Sequence, residues 1–237
     1  VDPSEPQSIP IGYIPQVEHT YAYYDGNYAI MNEHQLMFGE CTDGAKVMSE
    51  PEPGKRIFYS AELSRVAAER CKTAREAVLL IGDLIETYGY YGTGETLPIA
   101  DTEEGWVIEM APSPEGEGGL WVAKKIPEGE VFVAANEFRI REIDKNDPHT
   151  LYSKDLHSIA KRHGWWKPED GKLDWLATVS KGEYNHPYYS LRRVWRLQSR
   201  LAPSREKSPW VENGFTKAYP FSIKPDKKLD VRDVMSL

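Results

Sequence analysis

An α+β fold built on antiparallel strands is predicted by three features of this sequence. Between residues 97 and 124, three short apolar segments follow one another with only turn-forming stretches between them, the pattern of a meander. Two adjoining stretches, 58–72 and 73–89, carry apolar residues at helical spacing and should form one layer over that sheet. Beyond Pro148 the sequence turns to helices and loops rich in aromatic residues. With 237 residues, 40% of them hydrophobic, the chain can bury a substantial core.

In chain order, Pro3, Pro6, Pro10 and Pro15 mark residues 1–16 as an extended lead-in. Residues 16–24 favour strand, and Asp25-Gly26-Asn27 makes a turn before Tyr28. Ala29-Ile30-Met31 and Leu36-Met37-Phe38 then flank Asn32-Glu33-His34, a hairpin with three polar side chains at its tip. Asn32 fits two roles there. Asn accepts left-handed backbone and bonds its own chain in turns, whereas a fixed neutral amide aimed into a cleft would donate to an oxyanion.

The first helix has Leu63, Val66, Ala67 and Cys71 on one side. Thr73-Ala74-Arg75-Glu76 reads as a capping box for the second, whose apolar face is Ala77, Leu80, Ile81, Leu84 and Ile85 and whose stop is Gly89. Leu97–Ala100, Trp106–Met110 and Leu120–Lys124 are the meander strands, and Val131–Ile140 is expected to add another. Ser153 should cap a helix to about Arg162, and Gly182 to Pro187 is a polar break. Tyr189–Leu201 is an amphipathic helix with Arg192, Arg193, Arg196 and Arg200 opposite its apolar side. A short capped helix opens at Asp230.

A net charge of -8 and a pI near 5.4 argue against nucleic-acid or anionic-membrane binding, which needs clustered Lys and Arg. No apolar run reaches the length of a membrane-spanning helix. Gly92-Thr93-Gly94 lacks the rest of a nucleotide fingerprint. Cys41 and Cys71 are too few for a disulfide framework, lack metal-ligand spacing, and read as buried free thiols.

Several segments, taken in order, resemble the bacterial peptidase D-like dipeptidases. They are Ile14-Pro15-Gln16-Val17-Glu18-His19-Thr20-Tyr21, Met31-Asn32-Glu33-His34-Gln35-Leu36 with Gly39-Glu40, Ile99-Ala100-Asp101 with Trp106–Met110, Trp121-Val122-Ala123, and Ala134-Ala135-Asn136. Arg193-Val194-Trp195, Ile223–Lys228 and Asp233-Val234-Met235 extend the likeness over nearly the whole chain. That family belongs to the N-terminal-nucleophile hydrolases, so the resemblance implies a four-layer αββα fold with antiparallel sheets, of which residues 1–237 form a single, incomplete domain and 149–237 its helical and loop-rich part.

The resemblance also implies a mature N-terminal Cys that attacks the peptide carbonyl while its own α-amine serves as base, with no metal or cofactor. Val1 opens this sequence, and neither internal Cys has a free α-amine. The nucleophile is therefore expected on an upstream segment or a second chain, and this stretch alone is expected to be inactive. The resemblance assigns catalytic roles to Asn32 and Asn136 as oxyanion donors and to Arg193 as a cation near the thiol. Glu33, His34 and Glu40 adjoin the motif and fit two roles, a simple turn or structural role and that of substrate-binding residues shaping the pocket for a dipeptide amine. Asp101 and Glu109 are expected to be structural anchors. A related amide hydrolase acting on an acyl-amino acid or conjugated amide is the nearest alternative, and a non-catalytic binding module the other. The partners implied are a dipeptide substrate and the Cys-bearing segment; the lineage allows a homo-oligomer and either a cytoplasmic or an exported protein.

Overall fold

The computed structural model describes residues 9–183 and 189–237. Residues 1–8 of the expected lead-in and 184–188 of the expected polar break lie outside the described residues.

Strands β1 (Tyr23–Asp25), β2 (Ala29–Asn32), β3 (Met37–Phe38) and β4 (Cys41–Asp43) lead into helices α1 (Ser60–Arg70) and α2 (Ala74–Tyr88). The meander β5 (Gly94–Ala100), β6 (Gly105–Pro112) and β7 (Gly119–Lys125) follows, then β8 (Val131–Phe132) and β9 (Thr150–Tyr152). The remainder is α3 (Leu156–Arg162), α4 (Trp175–Val179), α5 (Ser190–Leu201), β10 (Ser222–Ile223) and α6 (Val231–Met235). One antiparallel sheet runs β1-β2-β3-β5-β6-β7-β9, with β4 also on β5, and β8 pairs with β10 in a second, small sheet.

The helices form for the reasons the sequence carries. Thr73 accepts from the Glu76 N–H at 3.2 Å, and the Glu76 carboxylate accepts from the Thr73 N–H at 3.2 Å, so two orphan donors of α2 are satisfied reciprocally. Gly89 ends the helix at φ 76, and a Cβ there would lie 1.8 Å from the Lys55 carbonyl, so only glycine fits. Helices α1 and α2 pack on one face of the sheet. Trp106, Ile108 and Met110 of β6 and Trp121 and Ala123 of β7 point to them, while Leu120 and Val122 face a second core with Phe138, Leu156 and Trp175. This is the period of two expected of strands buried on both sides.

The expected ten-residue strand from Val131 to Ile140 is corrected to the two residues of β8. Asn136 has φ 58, and the N–H groups of Arg139 and Ile140 donate to the side chain of Glu109 at 2.6 and 3.1 Å. Those donors go to a carboxylate from β6 and not to a neighbouring strand. The strand expected over 16–24 likewise shrinks to β1. Ser153 accepts from the Trp121 N–H, and Asp155 is the N-terminal boundary of α3. No helix among the described residues is long and apolar enough to cross a membrane.

Candidate functional site

Among the described residues, strand β4 has a strand neighbour on one side only. It pairs with β5 through Cys41, Thr42 and Asp43 opposite Thr96, Glu95 and Gly94, and its other edge faces the irregular stretch around Asn136. The Asn136 amide donates to the Thr42 carbonyl at 2.8 Å. Its Oδ1 accepts from Nη1 and Nη2 of Arg193 at 3.1 and 3.2 Å. A guanidinium only donates, so these bonds fix which end of the amide is oxygen. Arg193 is itself held: Nη2 donates to the Ala135 carbonyl at 2.9 Å, Nε to the Tyr189 carbonyl at 3.0 Å, and the guanidinium lies 4.3 Å from the centre of the Tyr189 ring. The Ser190 hydroxyl, at the start of α5, donates to the Asn136 carbonyl at 2.8 Å. Helix α5 thus fastens Asn136 in its left-handed conformation from two sides.

An amide carries two hydrogens. One on Asn136 is committed to Thr42, and the other has no partner among the described residues. The result is a fixed neutral donor, half-buried, braced by a cation at the free edge of a strand. That is the arrangement developing negative charge requires.

Asn32 is a different case, and its expected role as an oxyanion donor is corrected. It is 4% exposed, and both amide hydrogens are used, on the carbonyls of Ala68 and Cys71 at 2.9 and 2.8 Å. Its Oδ1 accepts from the N–H groups of His34 and Leu36 at 3.0 and 3.1 Å. The side chain therefore ties the hairpin tip to carbonyls at the end of α1, with no hydrogen left for a substrate. Asn32→Ala is expected to cost about 2–4 kcal/mol of stability by orphaning these buried groups, measured as a shift in the urea midpoint. A variant as stable as the wild type would overturn this bracing role.

Glu33 and His34 are not brought to the β4 edge either. Met37 pairs with Ala100 and Cys41 with Thr96, about 13 Å apart along β5, and the hairpin tip lies beyond the Met37 end. Glu33 accepts from the Ala22 N–H at 2.9 Å, and the His34 ring meets Tyr21 edge to face at 4.4 Å. Both fasten the hairpin to the residues that lead into β1. Glu40 is brought in: its carboxylate accepts from the Thr42 hydroxyl at 3.0 Å. Asp101 caps α2 by accepting from the Ala74 N–H at 2.7 Å, and Glu109 anchors the 139–140 backbone, as structural anchors should.

Thr42, Glu95 and Tyr59 were not singled out by sequence reasoning. The Tyr59 hydroxyl donates to Glu95 at 2.8 Å, and Glu95 in turn faces Glu40. Burial, then contact with Glu40, pushes the Glu95 carboxyl up to about 9. The only sequence signal was negative: a charged residue inside the β5 run, where an apolar one is expected.

On the other face of the same strands lies a buried polar row. Asp43 accepts from the Thr96 hydroxyl at 2.5 Å, and burial, then the charge of Glu109, raises its carboxyl well above the usual range. Burial pushes Glu109 up to about 8 and Glu137 up to about 7. Arg139, buried beside them, donates to the Tyr219 carbonyl at 2.6 Å. The row sits under the loop that carries Asn136.

The two thiols are not poised for attack. Burial, then the Asp43 charge, raises the Cys41 thiol far above its ordinary value, and burial pushes Cys71 up to about 12. Among the described residues no group of three or more His, Cys, Asp or Glu side chains could hold a metal ion.

A model of Peptidase family C69 matches residues 19–237 of the chain. A probable dipeptidase of Salmonella dublin is 30% identical over 191 residues, covering 80% of this chain and 42% of the relative. A probable dipeptidase of Latilactobacillus sakei is 30% identical over 163 residues, 68% of this chain and 32% of the relative. A probable dipeptidase A of Streptococcus pyogenes serotype M3 (strain SSI-1) is 27% identical over 175 residues, 69% and 33%. The matched part of the chain thus spans between about a third and two fifths of the length of these relatives.

Proposed function

The chain belongs to peptidase family C69, and from that premise we propose that the full-length protein is a dipeptidase that hydrolyses the amide bond of a dipeptide through a cysteine acyl-enzyme. The observation that carries this reading is the Thr42–Asn136–Arg193 cluster, with one amide hydrogen of Asn136 uncommitted at the open edge of β4. The substrate carbonyl lies against that hydrogen, and Arg193 holds the amide in place and lowers the cost of negative charge beside it. The attacking thiol is that of an N-terminal Cys outside these 237 residues, on an upstream segment or a second chain, and its own α-amine takes the proton. An amine with a pKa near 8 suits that work near neutral pH. The amine product leaves, and water releases the acyl group. The raised pKa of both Cys41 and Cys71 supports placing the nucleophile elsewhere.

On the same reading the sheet with its α1–α2 layer is one half of a four-layer αββα arrangement, and residues 1–237 belong to one domain. The support is the helical cover on one sheet face and the polar row on the other. The test is substrate profiling of the full-length protein with mass spectrometry of the stalled intermediate. Free dipeptides are expected to be hydrolysed, with acyl mass on one Cys. Turnover of N-acyl amides without dipeptides would overturn the reading in favour of a related amide hydrolase. Turnover of neither would favour a binding module.

A further inference from the structure

On the Glu95 side of β4, opposite the Asp43 row, a second constellation adjoins the Asn136 cluster. Thr42 joins the two, for its carbonyl accepts from Asn136 at 2.8 Å while its hydroxyl donates to Glu40 at 3.0 Å. Glu40 is half-buried and Thr42 exposed. Behind them Glu95 is fully buried; its Oε1 accepts from Tyr59, and its Oε2 has no partner with hydrogen-bond geometry. The Tyr90 hydroxyl is also fully buried and unpartnered, facing Glu95 and Tyr59. Tyr91 stacks on Tyr59 at 5.7 Å, and a Cβ on Gly92 would stand 2.8 Å from the Tyr59 ring. These are polar groups packed with care around a carboxylate, and no Lys or Arg among the described residues forms an ion pair with Glu40 or Glu95.

We propose that Glu40, backed by Glu95, Tyr59, Tyr90 and Thr42, is the subsite for the free α-ammonium group of a dipeptide and decides between free and N-acylated substrates. The proposal rests on the dipeptidase reading and deepens it. The ammonium nitrogen of a dipeptide lies two bonds, about 2.5 Å, from the scissile carbonyl carbon. A site for it must therefore adjoin the oxyanion donor, and Thr42 touches both. The charge also matches. Glu95 keeps its proton at neutral pH, because burial and then contact with Glu40 push it up to about 9, so it lies behind Glu40 without adding a second negative charge. Tyr59 is pushed up to about 12 and Tyr90 well above the ordinary phenol value, both chiefly by burial, and both stay neutral. Asp43, on the opposite side of the strand, is held toward its neutral form by burial. Glu40 is thus the half-buried carboxyl of the constellation that an ammonium can reach, with Glu95 buried behind it.

The experiment uses the full-length enzyme with a free dipeptide and the N-acetyl form of the same dipeptide. It measures KM and kcat, or the inhibition constant of whichever form is not turned over. Glu40→Gln is expected to reduce the preference for the free dipeptide about 10- to 100-fold, mainly through KM, as loss of a charged hydrogen bond should. Tyr59→Phe, which removes one hydroxyl behind the pair, is the second variant and should move the preference the same way. If the wild type hydrolyses the free dipeptide and neither variant alters the preference, the subsite is wrong and the dipeptidase reading stands. If the wild type hydrolyses only the N-acetyl form, both fall.

Discussion

Replacing Asn136 by alanine in the full-length protein is expected to lower kcat by about 10²- to 10³-fold with a small change in KM, the signature of a donor engaged chiefly in the transition state. Two features of the site make the effect large. Asn136 supplies the uncommitted hydrogen, and it is also the acceptor that aims two N–H groups of Arg193. On the proposed reading its removal leaves a cation without its aim as well as an oxyanion without its donor. A confounding effect has to be separated, because Asn136 sits at φ 58, a conformation Asn tolerates better than Ala. Asn136→Gly supplies the control: it removes the same side chain and relieves the backbone. If both variants lose kcat alike while their melting temperatures stay near the wild type, the amide is the cause. Recovery of kcat in Asn136→Gly would assign the loss to backbone strain and remove Asn136 from the chemistry.

The parts of the fold legible in the sequence were those whose stability is local. Helix α2 carries its own start in Thr73 and Glu76, its own stop in Gly89 and its own apolar face, and it lies where those residues place it. The meander was legible because its turns are short and its strands strongly apolar. The stretch from Val131 to Ile140 was not, because strand propensity there is overridden by one carboxylate 30 residues away in sequence, which takes the Arg139 N–H. The site divides in the same way. Asn136 and Arg193 are 57 residues apart, and no local pattern joins them; only the resemblance to a family named both. The same resemblance named Asn32, whose amide serves the carbonyls of α1. Thr42 stands two residues past the Gly39-Glu40 pair and offers Asn136 a backbone carbonyl, a role that residue type does not encode.

The buried acids predict that stability falls as pH rises from 7 to 9. Each is an acid whose folded pKa lies above its unfolded value near 4.3: Glu137 at about 7, Glu109 at about 8 and Glu95 at about 9, each raised first by burial. In this window the unfolded chain has already released these protons while the folded chain still holds them. The stabilisation is complete below the unfolded pKa and is lost as pH climbs through the folded values. His157 acts oppositely, since burial holds its ring below the usual value, but its contribution is nearly constant above pH 7. The thiols and tyrosines with raised pKa add their loss mainly above pH 9. The three carboxyls together should cost on the order of 4 kcal/mol between pH 7 and 9. Equilibrium urea unfolding at several pH values measures it, and Glu109→Gln should flatten the decline near pH 8, because a neutral amide has no proton to lose. A wild-type curve that is level from pH 7 to 9, or a variant with the same slope, would mean that these carboxyls are ionised in the fold. Arg139 and the N–H groups of Arg139 and Ile140 would then outweigh the burial of Glu109.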